Sequence, residues 1–273
     1  MGTAKRERQK QNRQLRLEEL QREQAKKKRN KTIIRVGIIV AVAVIGLVAF
    51  SYLTGDDEDG TTATTTSTTT DSGSTTTVAQ GPFAYGTGEC PPAEGAPERV
   101  ATFTAAPKQC IDPAKTYTAT LDTSEGKIVV KLDTARTPGT TNNFVVLSRF
   151  KYYDGTKVFR TDPSIDIIQG GGMTNTDSPG YTIPDEGGKF TYTEGDFTMA
   201  RTSAPNSAGG QWFFSTGPNT AKLDSQGTYV TFGKVTEGMD VVKAIIGLHQ
   251  AGGQLGGAPS RDVIVKTVTI TES

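Results

Sequence analysis

The chain has 273 residues, enough for one or two domains, and 22% of them are charged. Glycine and proline together supply 44 residues, a content that excludes a collagen, a wholly disordered chain and a long coiled coil. Only His249, Cys90 and Cys110 offer soft metal ligands, fewer than a structural zinc site takes. No zinc, haem or iron–sulfur cofactor is therefore expected.

The formal net charge of +1 combines a basic head with an acidic body. Residues 1–35 hold 13 Lys/Arg and 4 Asp/Glu, and the remainder holds 17 basic and 25 acidic residues. The head, residues 1–31, is rich in helix formers but has no sustained apolar heptad. We interpret it as a solvated basic tail, with contact to lipid headgroups as the alternative. It contains no aromatic residue, so no nucleic-acid partner is expected.

Residues 32–54 are predicted to form a transmembrane signal anchor. No side chain in residues 36–55 carries a charge, and a helix of about 20 residues spans the roughly 30 Å of a bilayer core. A cleaved signal peptide and a buried core helix are the alternatives, but the head and the apolar run are too long for a signal peptide and no A-x-A site follows. Basic residues precede the segment and four acidic ones follow it, which predicts a single-pass membrane protein with a cytoplasmic N-terminus.

The next two segments are predicted to link this anchor to a globular domain. Residues 55–80 are acidic and then Thr-rich, with 11 threonines in residues 60–80, and are predicted to be a disordered tether. Residues 81–114 form an extension that contains proline, glycine and both cysteines. Outside the cytoplasm, a disulfide between Cys90 and Cys110 is expected.

Residues 115–273 have a globular composition and predict a mainly β fold. Residues 116–133 predict a hairpin around a Ser-Glu-Gly turn. Residues 137–150 predict a helix with Phe144, Leu147 and Phe150 on one buried side, and residues 240–249 predict a second. The remaining apolar runs are short and rich in β-formers, so an antiparallel barrel or sandwich is expected.

Several enzyme classes find no support in this domain. A Ser-His-Asp triad would need His249, but no G-x-S-x-G segment is present. The glycines of residues 169–172 lack phosphate-loop spacing, and Asp185 and Glu186 lie in turn sequence without other glycosidase features.

The order of several motifs carries a family resemblance. YYDGTKVFR, IIQGGG, FTMAR, APNSAGGQWFFST, LD and VTFGKVTEGMDVVKAI follow one another between residues 152 and 245. This series resembles the cyclophilin family of peptidyl-prolyl isomerases over roughly residues 116–270. The resemblance implies a closed eight-stranded antiparallel barrel capped by two α-helices. It also implies catalysis of cis/trans isomerisation at Xaa-Pro bonds, with no cofactor and with proline-containing or unfolded polypeptides as partners.

The resemblance also assigns site residues. Arg160 matches the family's catalytic arginine, Gln169 the glutamine that orients it, and Phe213 the phenylalanine of the proline pocket. The remaining matches imply contacts with substrate for Ile167, Met199, Ala200, Gln211, Leu223 and Tyr229, of which Ile167 replaces a methionine and Tyr229 a histidine.

Four positions depart from the family pattern. Phe159 replaces the histidine before the arginine, and Arg201 replaces an asparagine of the groove. One extra residue places Asp166 where an apolar pocket residue is usual. Either Asp166 turns outward and Ile165 fills the pocket, or the pocket is altered, because a buried carboxylate is costly. Lys222 stands where some relatives have a tryptophan that contacts cyclosporin, so weak cyclosporin binding is expected.

Together these features predict a membrane-anchored isomerase that acts on exported or envelope proteins outside the cytoplasmic membrane. The low-complexity tether and long basic head favour a bacterial source, in particular an actinobacterium. A catalytically weak module that binds proline-containing segments is the alternative, motivated by Asp166. A third hypothesis, nucleic-acid association through the head, has least support.

Overall fold

The computed structural model describes residues 83–253 and 255–273, all of which lie in one compact unit. The predicted basic head (1–31), transmembrane segment (32–54) and tether (55–80) lie outside the described residues. Within the described part of the chain, no helix has both the length and the apolar composition needed to cross a bilayer.

The regular structure of the described residues consists mainly of antiparallel strands. The strands are β1 (Tyr117–Thr123), β2 (Gly126–Leu132), β3 (Thr156–Asp162), β4 (Ile167–Gly172), β5 (Asp196–Met199), β6 (Trp212–Ser215), β7 (Thr231–Glu237), β8 (His249–Ala251), β9 (Gly257–Pro259) and β10 (Ile264–Glu272). The α-helices are α1 (Pro138–Arg149) and α2 (Met239–Gly247), and a 3-10 helix spans Pro218–Leu223. Eight strands close into a barrel in the order β1-β10-β3-β4-β6-β5-β7-β2, and β8 pairs with β9 separately. The predicted eight-stranded antiparallel barrel is confirmed.

The hairpin of β1 and β2 begins the barrel where the alternating pattern predicts it. Thr123 pairs with Gly126 across a two-residue turn. Gly126 has a φ of +136°, a conformation that side-chain-bearing residues rarely adopt. Because β1 also pairs with β10, at the other end of the domain's sequence, the hairpin closes the barrel.

The barrel core is dominated by aromatic rings. Phe197 lies at its centre, with ring centroids 4.4 Å from Phe214, 4.5 Å from Phe232, 5.1 Å from Phe144 and 5.4 Å from Trp212. All five side chains are fully buried. Burial of one such ring stabilises the fold by about 1.5–3 kcal/mol, so this cluster fixes the positions of the strands that carry the site.

Helix α1 is buried on all sides, whereas the sequence predicts a single buried side. Every residue from Gly139 to Ser148 is buried, including the polar run of residues 140–143. The outer face is covered by the described part of the extension, residues 83–114, which precedes the barrel. Asn142 accepts hydrogen bonds from the backbone N–H groups of Cys110 (2.7 Å) and Ile111 (3.1 Å). The side chain of Asn142 is therefore buried as a hydrogen-bonding group that faces the extension.

The extension is closed on itself by a disulfide between Cys90 and Cys110, the pair expected from the sequence. Gly86 and Gly88 donate backbone hydrogen bonds to Pro107 and Ala106, so the chain just before Cys90 lies beside the chain just before Cys110. Further along, Ala96 donates to the carbonyl of Arg149 at the end of α1.

Candidate functional site

A groove of about 520 Å³ opens on the surface of the barrel. It is lined by side chains of β3, β4 and β6, by parts of two loops at 175–182 and 200–211, and by Ile165, Leu223, Tyr229 and Leu255. One end is polar and contains a guanidinium group, and the other is mostly apolar. This combination suits a peptide that presents both backbone amides and an apolar ring.

Strand register explains why Arg160, Gln169 and Phe213 meet in this groove although they are distant in sequence. Arg160 of β3 pairs with Gln169 of β4, and Gln169 pairs with Phe213 of β6. Side chains of directly paired antiparallel residues lie on the same face of the sheet. The three side chains therefore form a row across three neighbouring strands.

The guanidinium of Arg160 is held by three acceptors. Its Nε donates to the carbonyl of Leu255 (3.0 Å), Nη1 to Oε1 of Gln169 (3.0 Å), and Nη2 to Oδ2 of Asp162 (2.8 Å). A guanidinium has five N–H groups. Two therefore remain for a substrate, and the side chain is 20% exposed toward the groove.

Asp162 supplies a negative charge directly beside this guanidinium. Burial alone would raise the pKa of Asp162, but hydrogen bonds from Ser164 and Arg160 outweigh it and lower the pKa below its ordinary value. Asp162 is thus ionised at neutral pH, and it offsets part of the positive charge that Arg160 presents.

Gln169 and Gln211 extend the polar network along the groove. Nε2 of Gln169 donates to Oε1 of Gln211 at 3.0 Å, and Nε2 of Gln211 donates to the carbonyls of Asn175 (3.1 Å) and Asp177 (2.9 Å). Each amide orientation is fixed by its neighbour. The network links Arg160 to the loop at 175–182.

The apolar end of the groove is built around Phe213, whose side chain is almost fully buried. The ring of Tyr229 stands edge-on to it, with centroids 5.7 Å apart. Ile167 and Leu223 also line this region. The pocket offers aromatic and aliphatic contact without a charged group among these four residues.

Met199 is the one predicted substrate contact that lies elsewhere. Its side chain is 1% exposed and belongs to the barrel core, where it pairs in register with Trp212. Successive side chains along a strand point to opposite faces. Met199 therefore faces inward, and the next residue, Ala200, lines the groove. The other predicted site residues, Arg160, Gln169, Phe213, Ile167, Ala200, Gln211, Leu223 and Tyr229, all line it.

Comparison with known proteins agrees with this architecture. The family model described as cyclophilin type peptidyl-prolyl cis-trans isomerase/CLD matches residues 118–271, which is more than half of the chain. The chain belongs to the cyclophilin family. The resemblance and the enzyme class predicted from the sequence, a peptidyl-prolyl cis-trans isomerase, are confirmed.

Two curated relatives and one solved structure illustrate the similarity. Peptidyl-prolyl cis-trans isomerase cyp18 of Streptomyces antibioticus is 37% identical over 56% of this chain and 98% of its own length. Peptidyl-prolyl cis-trans isomerase B of Escherichia coli is 34% identical over 56% of this chain and 99% of its own. A cyclophilin from Cryptosporidium parvum, crystallised in the presence of the dipeptide Ala-Pro, is 25% identical with a TM-score of 0.50 and matches 57% of this chain and 99% of its own.

Within this cyclophilin, the extra residue between the arginine and the glutamine turns Asp166 out of the groove. Asp166 has a φ of +49°, and its Oδ2 accepts the backbone N–H of Asn219 at 2.7 Å. Ile165 lines the groove instead. Of the two alternatives left open by the sequence, the outward carboxylate is the one observed.

Two further departures from the family pattern, Arg201 and Lys222, and the single histidine also have definite places. Arg201 lines the groove but is tied back by bonds to the carbonyls of Thr228 (3.1 Å) and Ala204 (2.7 Å). Lys222 lies outside the groove lining and donates to the carbonyl of Ser164 at 2.8 Å. His249 shares a hydrogen bond with Thr161 at 2.9 Å and does not line the groove.

Sequence reasoning missed three groups of the cyclophilin site. Asp162 could have been found, because positions i and i+2 of a strand share a face and Arg160 lies two residues before it. Leu255 lies 95 residues after Arg160, and its contribution is a backbone carbonyl that carries no residue-type signal. Tyr181 belongs to a loop whose course depends on tertiary contacts.

Proposed function

We propose that this cyclophilin isomerises Xaa-Pro bonds in the groove, with Arg160 as the catalytic residue. The observation that carries the proposal is the guanidinium of Arg160, held at three N–H groups beside an apolar pocket while two N–H groups remain free for substrate. The dipeptide named with the Cryptosporidium parvum cyclophilin, Ala-Pro, supports proline-containing peptides as ligands.

The reaction needs electrostatic stabilisation and no bond-forming group. Rotation about a peptide bond is opposed by a barrier of about 18–20 kcal/mol, because the C–N bond has partial double-bond character. In the twisted state the prolyl nitrogen regains its lone pair and accepts a hydrogen bond. A donor already fixed in place stabilises that state without reorganising. No covalent bond breaks, so neither a nucleophile nor a general base is required.

Six of the lining residues, besides Arg160, have roles in this scheme. Phe213, Ile167, Leu223 and Tyr229 would enclose the prolyl ring. Gln169 holds the guanidinium of Arg160, and Gln211 extends the polar edge toward the substrate backbone. The hydroxyl of Tyr229 would donate to a substrate carbonyl in place of the family's histidine.

The proposal predicts that Arg160→Ala abolishes most of the catalysis. Cis/trans exchange of a Xaa-Pro peptide would be recorded by NMR with the full chain in detergent micelles. The variant should lose about 100-fold or more in kcat/KM, comparable to removal of one stabilising donor in other enzymes, while its melting temperature stays within a few degrees. Arg261→Ala is the matched control, because Arg261 is exposed and bonds Glu125 away from the groove. Equal exchange rates in parent and Arg160→Ala would contradict the proposal.

We further infer that the enzyme is anchored in the cytoplasmic membrane and acts on exported or envelope proteins outside it. The uncharged run of residues 36–55, the charges that flank it and the disulfide support this location. Unfolded exported chains need proline isomerisation, which is slow without a catalyst. The similarity to the Streptomyces antibioticus isomerase supports an actinobacterial source.

Reporter fusions at Ser273, expressed in bacteria, test this topology. An alkaline phosphatase fusion should be active and a green fluorescent protein fusion dark. The opposite pair of results would place the isomerase domain in the cytoplasm.

A second candidate function is a binding module with little turnover. Asp166 motivated this alternative from the sequence, but its side chain points away from the groove. The ion pair between Asp162 and Arg160 favours the alternative instead, because the carboxylate reduces the positive charge available to the twisted state. Peptide binding without acceleration of exchange by the parent protein would support this second function.

A further inference from the structure

We propose that Phe103, in the described part of the extension (residues 83–114), is a positioning residue for peptide binding. The extension precedes the family match at residues 118–271, and no residue of it lines the groove. Phe103 acts through the groove loop, which is the segment of residues 175–182. The inference deepens the proposed function and rests on it.

The groove loop has no strand to support it. No residue from 175 to 182 belongs to a helix or strand, yet Asn175, Thr176, Asp177, Ser178, Tyr181 and Thr182 line the groove. On the groove side the loop is held by the two hydrogen bonds from Gln211. Its position must be set by contacts on its other side as well.

Phe103 supplies those outer contacts. Its backbone N–H donates to the carbonyl of Pro179 at 2.8 Å. Its carbonyl oxygen lies so near Gly180 that a Cβ there would be 2.5 Å away, and Gly180 has a φ of +99°. Its ring stands edge-on to Tyr181 at 6.1 Å. Three consecutive residues of the groove loop thus rest on one residue of the extension.

Phe103 is in turn fixed to the rigid part of the domain. Its ring centroid lies 5.2 Å from that of Phe150, just after α1. Val100 donates to the carbonyl of Phe150 at 2.9 Å, and Arg99 donates to the carbonyl of Tyr152 at 2.9 Å. The Cys90–Cys110 disulfide closes the segment that contains Arg99, Val100 and Phe103.

Asn143 of α1 connects the groove loop to the opposite side of the groove. The hydroxyl of Tyr181 donates to its Oδ1 at 2.7 Å, and its Nδ2 donates to the carbonyl of Gly209 at 2.8 Å. Tyr181 and Gly209 both line the groove. Because the neighbouring Asn142 bonds the extension, one turn of α1 joins the extension to two sides of the groove.

This arrangement separates binding from turnover. Arg160 has three acceptors, of which Leu255 and Asp162 form no hydrogen bond with the groove loop and Gln169 reaches the loop only through Gln211. Loosening the groove loop should therefore weaken peptide binding more than it weakens stabilisation of the twisted state, because Leu255 and Asp162 still hold the guanidinium. Such a change raises KM with little effect on kcat.

The test compares Phe103→Ala with Phe103→Leu and Phe83→Ala in the full chain in detergent micelles. The alanine variant should raise KM and the dissociation constant of a Xaa-Pro peptide about fivefold with kcat within about twofold. The leucine variant, which keeps apolar bulk, should restore most of the binding and guards against a failure of the alanine variant to fold. Phe83→Ala is the matched control, because Phe83 belongs to the same extension but packs on Gly139 of α1, and its KM should equal that of the parent.

NMR supplies a readout that general destabilisation does not move. The amide signals of Gly180 and Gln211 should shift in Phe103→Ala and stay in place in Phe83→Ala. An unchanged KM in Phe103→Ala, or equal rises in KM in both alanine variants, would overturn the inference. If the parent itself fails to accelerate exchange, the proposed catalysis fails, and the peptide dissociation constants still decide the role of Phe103.

Discussion

At the scale of single residues, the charge of Arg160 in the groove is partly offset by its ion pair with Asp162. Nε and Nη1 of Arg160 are already fixed by Leu255 and Gln169, and two bonds suffice to orient a planar guanidinium. The third bond, to Asp162, adds little orientation. Its carboxylate does offset charge, and two unit charges about 4 Å apart interact by about 4 kcal/mol near a protein surface.

Asp162→Asn is therefore expected to increase activity. Removing the carboxylate charge leaves more positive potential for the prolyl nitrogen, so kcat should rise about threefold, which corresponds to less than 1 kcal/mol of the barrier. Because the pKa of Asp162 is lowered, the parent should show no such rise between pH 8 and pH 5. Steady-state exchange rates across this range provide the measurement. A fall in kcat of the variant would show instead that orientation by Asp162 outweighs its charge.

At the scale of elements, the sequence predicted the barrel strands and both α-helices, but not the pair β8 and β9 or the segment that covers α1. Period-2 alternation and turn residues were sufficient for β1 and β2, since both depend on local pattern. The aromatic positions of α1 predicted its inner face. The burial of Asn142 could not be predicted, because its hydrogen-bond partners belong to the extension, which meets α1 only in three dimensions. The same limit applies to Leu255 and to the outward turn of Asp166.

The hydrogen bonds of Asn142 attach the extension to α1, and its substitution shows how much they contribute to the free energy of unfolding. Its side chain is 1% exposed, accepts from the N–H groups of Cys110 and Ile111, and donates to the carbonyl of Lys108 at 2.9 Å. Asn142→Ala leaves these buried groups without a partner, so the free energy of unfolding should fall by about 3 kcal/mol. Urea denaturation followed by circular dichroism would measure this fall in the free energy of unfolding.

Thr134→Ala, at an exposed hydroxyl, is the control and should change stability by less than about 0.5 kcal/mol. A similar small loss for Asn142→Ala would mean that the extension contributes little to stability.

At the scale of the whole molecule, the pKa values of two glutamates are shifted in opposite directions by their surroundings. Burial raises the pKa of Glu186, and hydrogen bonds from the N–H groups of Thr140 and Gly139 compensate only in part. A hydrogen bond from Arg149 lowers the pKa of Glu272, which also pairs with Lys115. Protonated Glu186 therefore favours the folded state, whereas Glu272 favours the folded state when it is ionised.

These two signs predict a stability maximum at mildly acidic pH. The contribution of Glu272, present above its unfolded pKa, is lost as pH falls through its lowered folded pKa. The cost of ionising Glu186 in the folded state appears as pH rises from the unfolded value of about 4.3 through its raised folded pKa. The melting temperature should therefore be highest at the unfolded pKa of glutamate, about 4.3, and fall on both sides. Glu186→Gln, which cannot ionise, should flatten the decline above this pH and leave the acid limb unchanged. An unaltered decline in the variant would assign the neutral-pH loss to another buried acid, of which Asp154, whose pKa is also raised by burial, is the first to test.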